Sequence, residues 1–257
     1  MKKSKLKITA VLPVSRTTYL EQVIYSLTNQ TRKLDNLIVV FDGPPTGYVE
    51  VRNKIVELPF NTLCVPSNNP FVAETILERR RNIANNHNQL RELVGDCDFV
   101  WSIEDDGIIP LDALSKLIRG FNTFPEAGLI TGVELGRWGN PYVGAWTVDN
   151  ITTPQQATSL TNKSLEGGYE EIDASGLYCA LMRADLYKEN NFFTQNGLGP
   201  DVNLGLAIRQ KGFKNYIDWS IHLTHLTYDM NQYKEIHATD HSSVVVLTWA
   251  YGSTWTH

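Results

Sequence analysis

The sequence has little of what disulfide-framed, zinc-ribbon and membrane-spanning proteins need. Its 257 residues include three cysteines, which lie far apart and form no CxxC pair. An odd and scattered set of cysteines argues against a disulfide framework or a zinc ribbon and favours a reducing compartment. No apolar run approaches the roughly 20 residues that a spanning helix requires. The basic start precedes an apolar run too short for a signal peptide, so we expect a cytoplasmic protein.

Two nucleotide-binding loops and an excess of positive charge are also missing. There is no GxxxxGK[ST] and no GxGxxG after the first apolar run, so neither a P-loop nor a dinucleotide site of the Rossmann type is supported. The formal net charge of −5 argues against a duplex-binding surface. With 42% hydrophobic and 20% charged residues, the chain is expected to fold around a sizeable core.

Apolar patterning predicts alternating strands and helices through the first half of the chain. Continuous apolar runs are typical of buried parallel strands, and apolar residues at a spacing of three and four predict amphipathic helices between them. This alternation indicates a doubly wound α/β layer. The predicted strands are 6–14, 37–41, 62–65, 98–103 and 214–223, and the predicted helices are 18–30, 46–57, 74–94, 111–122 and 201–211. In the helix 74–94, we expect Ile76, Ile83, Ala84 and Leu90 to share the buried face.

The second half of the chain has a different character. Residues 129–185 are rich in Gly, Trp and Thr and predict a mixed, partly antiparallel sheet with long loops. No repeat or low-complexity linker separates the halves, so we predict a single domain over 1–230 with subregions 1–125 and 126–230. Residues 231–257 are predicted to be a tail that contains a β-prone segment, Val244–Trp249.

Polar residues follow three of the predicted strands. Glu104, Asp105 and Asp106 come directly after the strand 98–103, Asp42 follows the strand 37–41, and the turn 13–16 follows the first strand. In open α/β sheets, ligands bind at the carboxyl ends of strands. Consecutive carboxylates repel one another unless a cation compensates, and Mg²⁺ or Mn²⁺ binds carboxylate and phosphate oxygens together. The pattern predicts a nucleoside diphosphate held through a metal; a solvated acidic turn before a helix is the alternative.

Several segments, in this order, resemble motifs of the GT-A glycosyltransferases, in particular the inverting family 2. They are YLEQVIYSLTNQ (19–30), LIVVFDG (37–43), Arg81-Asn82, VWSIEDDGIIPLDAL (100–114), GLYCALMRADLY (176–187), GPDVNLGLAIRQKGFK (199–214) and IHLTH (221–225). The resemblance covers about residues 6–226. It implies a GT-A fold, with a Rossmann-like nucleotide-binding half and a mostly parallel central sheet in 1–125 and a smaller, mixed-sheet acceptor half in 126–230. The chain departs from the family where Arg16 replaces an Asn, Phe41-Asp42 an Asp pair, Glu104 an Asp and Pro200 a Glu.

The resemblance implies a Mn²⁺ or Mg²⁺ site at the acidic strand end. Asp106 would bind the metal that bridges the donor's diphosphate, with His225 as a second ligand. Glu104 would bind it directly or through water. His222 lies three positions from His225 in an extended segment and is therefore expected to face the other way. A hydrogen-bonded core histidine is the alternative reading of His225.

The resemblance also implies a set of residues that bind the donor. Asp105 would approach the ribose, and Asp42 the base or the ribose. Arg81 would neutralise the diphosphate, because a guanidinium matches phosphate oxygens. A solvated helix face is the alternative for the arginines 79–81, of which we expect one to face inward. The turn after the first strand completes the set with Pro13, Val14 and Arg16.

Asp201 would be the general base of an inverting transfer, taking the proton of the acceptor hydroxyl. Its alternative role is the N-cap of a helix over 202–211. The implied donor is a UDP-hexose such as UDP-glucose, and the acceptor is a glycan, lipid carrier, protein or modified base. Aromatic residues of the second half predict an acceptor platform or, alternatively, a small core. These residues are Trp138, Tyr142, Trp146, Tyr169 and Tyr178.

Two other classes of function remain open from the sequence. A nucleotidyltransferase that makes a sugar nucleotide would share the acidic strand end, but it usually has a glycine-rich loop after the first strand, and 13–19 has no glycine. A non-catalytic nucleotide- or carbohydrate-binding module would not need Asp201. The sequence leaves the oligomeric state open.

Overall fold

The computed structural model describes residues 6–69, 73, 75–134, 142–147, 158–161, 167–195, 197–229, 232–238 and 244–249. Strands and helices alternate as far as residue 133 and are followed by a strand-rich second half. The elements, in chain order, are β1 (Ile8–Val14), α1 (Leu20–Thr28), β2 (Asn36–Phe41), α2 (Pro45–Ile55), β3 (Asn61–Pro66), α3 (Ile76–Leu93), β4 (Phe99–Ile103), β5 (Gly107–Ile108), α4 (Ala113–Thr123), β6 (Ala127–Val133), β7 (Tyr142–Thr147), β8 (Thr158–Thr161), β9 (Tyr169–Ile172), β10 (Ala174–Ser175), β11 (Cys179–Arg183), α5 (Ala184–Glu189), α6 (Pro200–Gln210), β12 (Lys214–His222), β13 (Thr224–Asp229), β14 (Gln232–Ala238) and β15 (Val244–Trp249).

An eight-stranded sheet forms the centre of the molecule, in the order β3-β2-β1-β4-β11-β6-β12-β9. Strands β1 to β4 are parallel, and β6 and β12 run in the same direction. The strand β11 is antiparallel to both of its neighbours, β4 and β6. Because β2 and β4 flank β1, the winding of the chain reverses between β1 and β4, and open α/β sheets bind ligands at the carboxyl ends of strands at such a reversal.

Helices cover both faces of this sheet. One hydrophobic cluster joins residues of α1, α2 and α4 to one face, and its largest buried side chain is Trp101. A second cluster joins α3, α5 and α6 to the opposite face through residues such as Leu90, Leu186 and Leu204. The result is the three-layered α/β/α architecture that alternating strands and helices predict.

Two small antiparallel sheets lie outside the central one. The first has the order β10-β7-β8 and belongs to the segment predicted to be a mixed sheet. The second has the order β15-β14-β13-β5, so strands of the predicted tail extend a sheet that begins directly after Asp106. The predicted division into halves and a tail stays a prediction.

The helix α3 buries a different face from the one expected. Ile76 is 70% exposed and Ile83 44% exposed, whereas Ala84 and Leu90 are buried as expected. The remaining buried positions are Asn86 and His87. His87 is stacked on Phe192 with ring centroids 4.9 Å apart, and burial lowers its pKa to about 3. The face is partly polar because it meets hydrogen-bonding groups, and apolar spacing alone could not identify it.

Candidate functional site

Polar residues gather at one edge of the central sheet. The parallel strands β1, β2, β4, β6 and β12 all end there, and each is followed within three residues by a polar or charged side chain. These side chains belong to Ser15, Arg16, Asp42, Glu104, Asp105, Asp106, Glu134 and His225. The structure therefore places the predicted polar residues at the carboxyl ends of parallel strands and adds Glu134 to them; that this edge binds a ligand stays a prediction.

Asp105 is held in place by the turn after β1. Its Oδ2 atom accepts hydrogen bonds from the backbone N–H of Ser15 (2.7 Å), the backbone N–H of Arg16 (3.0 Å) and the hydroxyl of Ser15 (3.1 Å). The side chain is 7% exposed. Because two of these donors are backbone groups, the position of this carboxylate depends on the path of the turn more than on any one side chain.

Arg16 forms ion pairs with both central carboxylates. Its Nη2 atom lies 3.1 Å from Oδ1 of Asp105 and 2.6 Å from Oδ2 of Asp106. Burial by itself would lower the pKa of the guanidinium, but the two carboxylates outweigh it and hold that pKa above the ordinary value. Arg16, one of the positions at which the chain departs from the resembled motifs, thus compensates the charge of the acidic strand end.

His225 lies against Asp106. Strand β13 pairs with β5 so that His225 stands opposite Gly107, and the backbone N–H of Leu226 donates to the carbonyl of Asp106 at 2.7 Å. The imidazole is 1% exposed, and its Nε2 atom is 3.4 Å from Oδ2 of Asp106. Neither ring nitrogen makes a hydrogen bond within the described part of the chain, which does not favour the hydrogen-bonded core histidine.

Glu134 is a site residue that the sequence reasoning missed. It directly follows β6, and its Oε1 atom lies 3.4 Å from Nδ1 of His225. His225 is therefore placed between two carboxylates, Asp106 on Nε2 and Glu134 on Nδ1. A carboxylate beside the second ring nitrogen is the usual way in which a protein orients a metal-binding imidazole. The rule that found Asp42 and Asp105, a polar residue at the end of a buried strand, also points to Glu134.

The donor atoms at this edge suit a divalent cation, although no complete cage is formed. Asp106 and His225 supply an oxygen and a nitrogen of the types that Mn²⁺ accepts, and the buried nitrogens of His225 are without hydrogen bonds among the described residues. Glu104 is half-buried on the same turn. No cluster of three or more metal-binding side chains is assembled in the part of the chain described. A cation here would take its remaining ligands from water and phosphate oxygens.

His222 is tied to the backbone elsewhere. Its Nε2–H donates to the carbonyl of Trp219 at 2.6 Å, and burial lowers the pKa of the imidazole. Because that nitrogen carries the proton, it is not a metal ligand in this arrangement. That His222 faces away from His225, as the extended spacing predicts, stays a prediction.

Asp42 belongs to a second polar group, at the ends of β2 and β3. Its Oδ2 atom accepts from Nδ2 of Asn69 (2.9 Å) and from Nδ2 of Asn86 (3.0 Å), and its backbone N–H donates to the carbonyl of Val14 at 2.7 Å. Val14 is buried in the core and Pro13 is half-buried. Val14 therefore contributes its backbone to the site and supports the position of Asp42.

Asp201 lies in the first turn of α6, directly after a loop that contains Gly197 and Gly199. The helix begins at Pro200 with Gly199 as its N-cap, so Asp201 is not the N-cap of a helix over 202–211. A Cβ atom on Gly199 would lie 2.3 Å from Oδ1 of Asp201, which explains the glycine. Burial raises the pKa of Asp201; hydrogen bonds from the backbone N–H groups of Val202 and Asp201 and the charge of Arg80 oppose that rise.

Of the three consecutive arginines, Arg80 faces the loop before α6. Its guanidinium donates to the carbonyl of Gly197, whose φ of +77° favours glycine. Arg79 and Arg81 are both exposed on α3. One arginine does face inward, but it is Arg80, and the contact predicted between Arg81 and a diphosphate stays a prediction.

The predicted aromatic platform is only partly described. Trp138 and the side chain of Tyr142 lie outside the described residues. Tyr178 is buried, and its hydroxyl contacts the carbonyls of Gly132 and Gly144 at 3.2 and 3.1 Å, so it is a core residue. Tyr169 packs edge-on against Phe124, and Trp146 packs against a small cluster of Ala174, Val202 and Leu206. A stacking role for Trp146 and Tyr169 stays a prediction.

Comparison with known proteins agrees with this geometry. The sequence profile described as "Glycosyl transferase family 2" matches residues 11–189, more than two thirds of the chain. The chain belongs to glycosyl transferase family 2. The matched region begins within β1 and contains β2 to β4, the acidic turn, Glu134 and β11. No curated protein sequence matches the chain at a significant level.

Solved structures place the fold among the GT-A glycosyltransferases. GalNAc-T7, solved with UDP, GalNAc and Mn²⁺, matches with a TM-score of 0.63 at 9% identity, over 87% of this chain and 44% of that one. The mannosyltransferase PcManGT from Pyrobaculum calidifontis, solved with GDP-Man and Mn²⁺, matches with a TM-score of 0.54 at 14% identity, over 83% and 55%. A197 from STIV matches with a TM-score of 0.51 at 13% identity, over 93% and 98%. The chain spans about half of the first two proteins and nearly all of the third.

Family and fold together confirm two predictions: the GT-A architecture and the enzyme class, a glycosyltransferase. Cys64, Cys97 and Cys179 form no disulfide with one another. Within the described ranges, no helix is long and apolar enough to cross a membrane.

Proposed function

We propose that the chain transfers a hexose from a nucleoside diphosphate donor to an acceptor hydroxyl, with a divalent metal at Asp106 and His225. The observation that carries the proposal is the pairing of β13 with β5, which sets a buried imidazole 3.4 Å from the second of two buried carboxylates. A sugar nucleotide is a diphosphate ester, and its leaving group carries negative charge that a cation must offset. UDP-glucose is the donor we propose to test first.

The metal would be Mn²⁺ or Mg²⁺, held by Asp106 and His225, with Glu104 directly or through water. When bound, it would neutralise the negative charge that builds on the departing diphosphate. Glu134 would keep the imidazole oriented, because its Oε1 atom lies 3.4 Å from Nδ1, the nitrogen that points away from Asp106. The solved glycosyltransferases GalNAc-T7 and PcManGT contain Mn²⁺, which supports this choice of metal.

The donor's nucleoside would lie along the ends of β1 and β2. Asp105 is fixed by the turn after β1 and would accept hydrogen bonds from the ribose hydroxyls. Asp42, oriented by Asn69 and Asn86, would meet the base or the ribose. The backbone of Pro13 and Val14 would lie beside the nucleoside, and Arg81 would approach the diphosphate.

Asp201 would act as the general base. It would take the proton of the acceptor hydroxyl while the hydroxyl oxygen forms its bond to the anomeric carbon and the bond from that carbon to the diphosphate breaks. Such a single displacement inverts the configuration at the anomeric carbon. Burial raises the pKa of Asp201, and a carboxylate whose pKa lies closer to the working pH is a better proton acceptor.

The experiment is a donor screen followed by a turnover assay. Thermal shift with Mn²⁺ and a panel of nucleotide sugars identifies the donor, and release of the nucleoside diphosphate from that donor measures turnover. We expect Mn²⁺-dependent release that a chelator abolishes. Asp106→Asn should lose this release. Asp112→Asn is its matched control for loss of one acidic charge and should keep the release, since Asp112 is half exposed and pairs with Lys116 at 3.0 Å.

Two outcomes would replace the proposal. If the chain binds a sugar nucleotide but releases no nucleoside diphosphate with any acceptor tested, it is a binding module. Release of pyrophosphate from a nucleoside triphosphate and a sugar phosphate would indicate a nucleotidyltransferase.

A further inference from the structure

Arg16 already holds the oxygen that a metal at Asp106 and His225 would need. Its Nη2 atom is 2.6 Å from Oδ2 of Asp106, and that same oxygen faces Nε2 of His225 at 3.4 Å. The guanidinium also pairs with Oδ1 of Asp105 at 3.1 Å. A cation that bridges Asp106 and His225 must therefore compete with a positive charge built into the chain.

The guanidinium can leave without disturbing the carboxylates. The side chain of Arg16 is 41% exposed, whereas those of Asp105 and Asp106 are 7% and 2% exposed. Asp105 keeps the hydrogen bonds from the backbone of Ser15 and Arg16 to its other oxygen. Asp106 stays in place because its carbonyl accepts the N–H of Leu226 at 2.7 Å. The arginine side chain is long and flexible, so it can swing toward solvent or toward a bound phosphate.

We propose that Arg16 is an internal counter-cation that blocks the metal site until a nucleoside diphosphate arrives with the metal. This inference rests on the proposed function. Without a donor, Arg16 neutralises Asp105 and Asp106 and keeps metal affinity low. With a donor, the metal takes over Asp106, and the released guanidinium binds the diphosphate, which is the bidentate partner that arginine favours. Metal and nucleotide therefore bind cooperatively, and by linkage each raises the other's affinity by the same factor.

The factor by which Arg16 lowers the metal affinity can be estimated from the ion pairs that the metal must replace. A charge-assisted hydrogen bond of this kind changes a binding constant by roughly 10- to 100-fold. Removing the guanidinium should therefore raise the affinity for Mn²⁺ alone by about that factor. It should also reduce the factor by which UDP improves Mn²⁺ binding, because the released cation no longer contributes.

The test is a titration of Mn²⁺ alone into the full chain, with free Mn²⁺ followed by its electron paramagnetic resonance signal. Arg16→Asn supplies the residue found in the resembled motif. Arg32→Asn is the matched control, because Arg32 pairs with Asp35 at 3.2 Å near the start of β2, at the other end of the strands. We expect Arg16→Asn to bind Mn²⁺ about 10- to 100-fold more tightly than the parent and Arg32→Asn to match the parent.

A second variant distinguishes loss of the positive charge from misfolding. Arg16→Lys keeps the charge, so its Mn²⁺ affinity should stay closer to that of the parent than Arg16→Asn does, and circular dichroism establishes that each variant is folded.

Three results would overturn the inference, and they differ in whether the proposed metal site is also contradicted. Equal Mn²⁺ affinity in the parent and Arg16→Asn would contradict the blocking role of Arg16 and would not affect the proposed metal site. Tight UDP binding by the parent without metal, lost in Arg16→Asn, would mean that Arg16 replaces the metal. No Mn²⁺ binding by either protein, with or without UDP, would remove the proposed metal site and the inference together.

Discussion

Replacing Asp201 with Asn separates the catalytic role from a structural one. Asn keeps the shape of the side chain in the first turn of α6 and removes its negative charge and its capacity to accept a proton. A general base contributes typically about 10²- to 10⁴-fold to a rate, so sugar transfer should fall by that factor. This corresponds to roughly 3–5 kcal/mol in the activation barrier. Donor and metal binding should persist, because Asp201 is proposed to act on the acceptor.

The same substitution should stabilise the protein at neutral pH. Burial raises the pKa of Asp201 above 3.8, so the folded state holds its proton more tightly than the unfolded state. The free energy of unfolding therefore falls as the pH rises from 3.8 through the folded pKa, and it stays lower above that window. Because Asn does not titrate, Asp201→Asn should melt at a higher temperature than the parent at pH 7, and the difference should shrink in acid.

Transfer, donor affinity and melting temperature are measured on one preparation of each variant. Asp185→Asn is the matched control, because Asp185 also lies in the first turn of a helix, α5, and its Oδ1 accepts the backbone N–H of Leu186 at 2.8 Å. It should leave transfer unchanged. Transfer by Asp201→Asn within a few-fold of the parent would refute the catalytic role, and a lower melting temperature would refute the argument from burial.

Three further predictions concern the donor side of the site. Glu134→Gln should weaken Mn²⁺ binding measured with UDP present by about 10- to 100-fold, because the imidazole of His225 loses its orienting charge. Arg81→Ala should lower donor affinity in calorimetry by roughly 10- to 100-fold, and equal weakening by Arg79→Ala would indicate a diffuse basic face instead. Asn86→Ala removes one of the two amides that donate to Asp42 and the acceptor of the Ser67 hydroxyl, and it should lower the free energy of unfolding in urea by about 1–3 kcal/mol; no change would mean that water replaces the amide.

The regular elements could be predicted because their signals are local. The bounds of β1, β2, α4 and β12 differ from the predicted ranges by one or two residues, since buried strands and amphipathic helices have distinct apolar periods. The placement of β11 could not be predicted. It lies between β4 and β6, although it follows β4 by more than seventy residues, and pairing between distant strands leaves no mark on the spacing within either one.

Site residues that directly follow a buried strand could be predicted from the sequence. Contacts between side chains that are distant in the sequence could not. Asp42, Asp105 and Asp106 follow buried strands, and the same rule extends to Glu134. By contrast, the ion pairs of Arg16 depend on how the turn after β1 approaches β4, and the sequence indicates only that an unusual residue stands there. Their pairing is a tertiary contact across ninety positions of the chain.

The central claim is that a metal at Asp106 and His225 recruits the donor. Calorimetric titration of UDP tests it most directly, with the parent and Asp106→Asn each measured once with Mn²⁺ and once with a chelator. The account predicts that the parent binds UDP much more tightly with Mn²⁺ than with chelator, and that Asp106→Asn loses this dependence while remaining folded. Equal UDP affinity in the parent with and without Mn²⁺, or an unchanged dependence in Asp106→Asn, would contradict it.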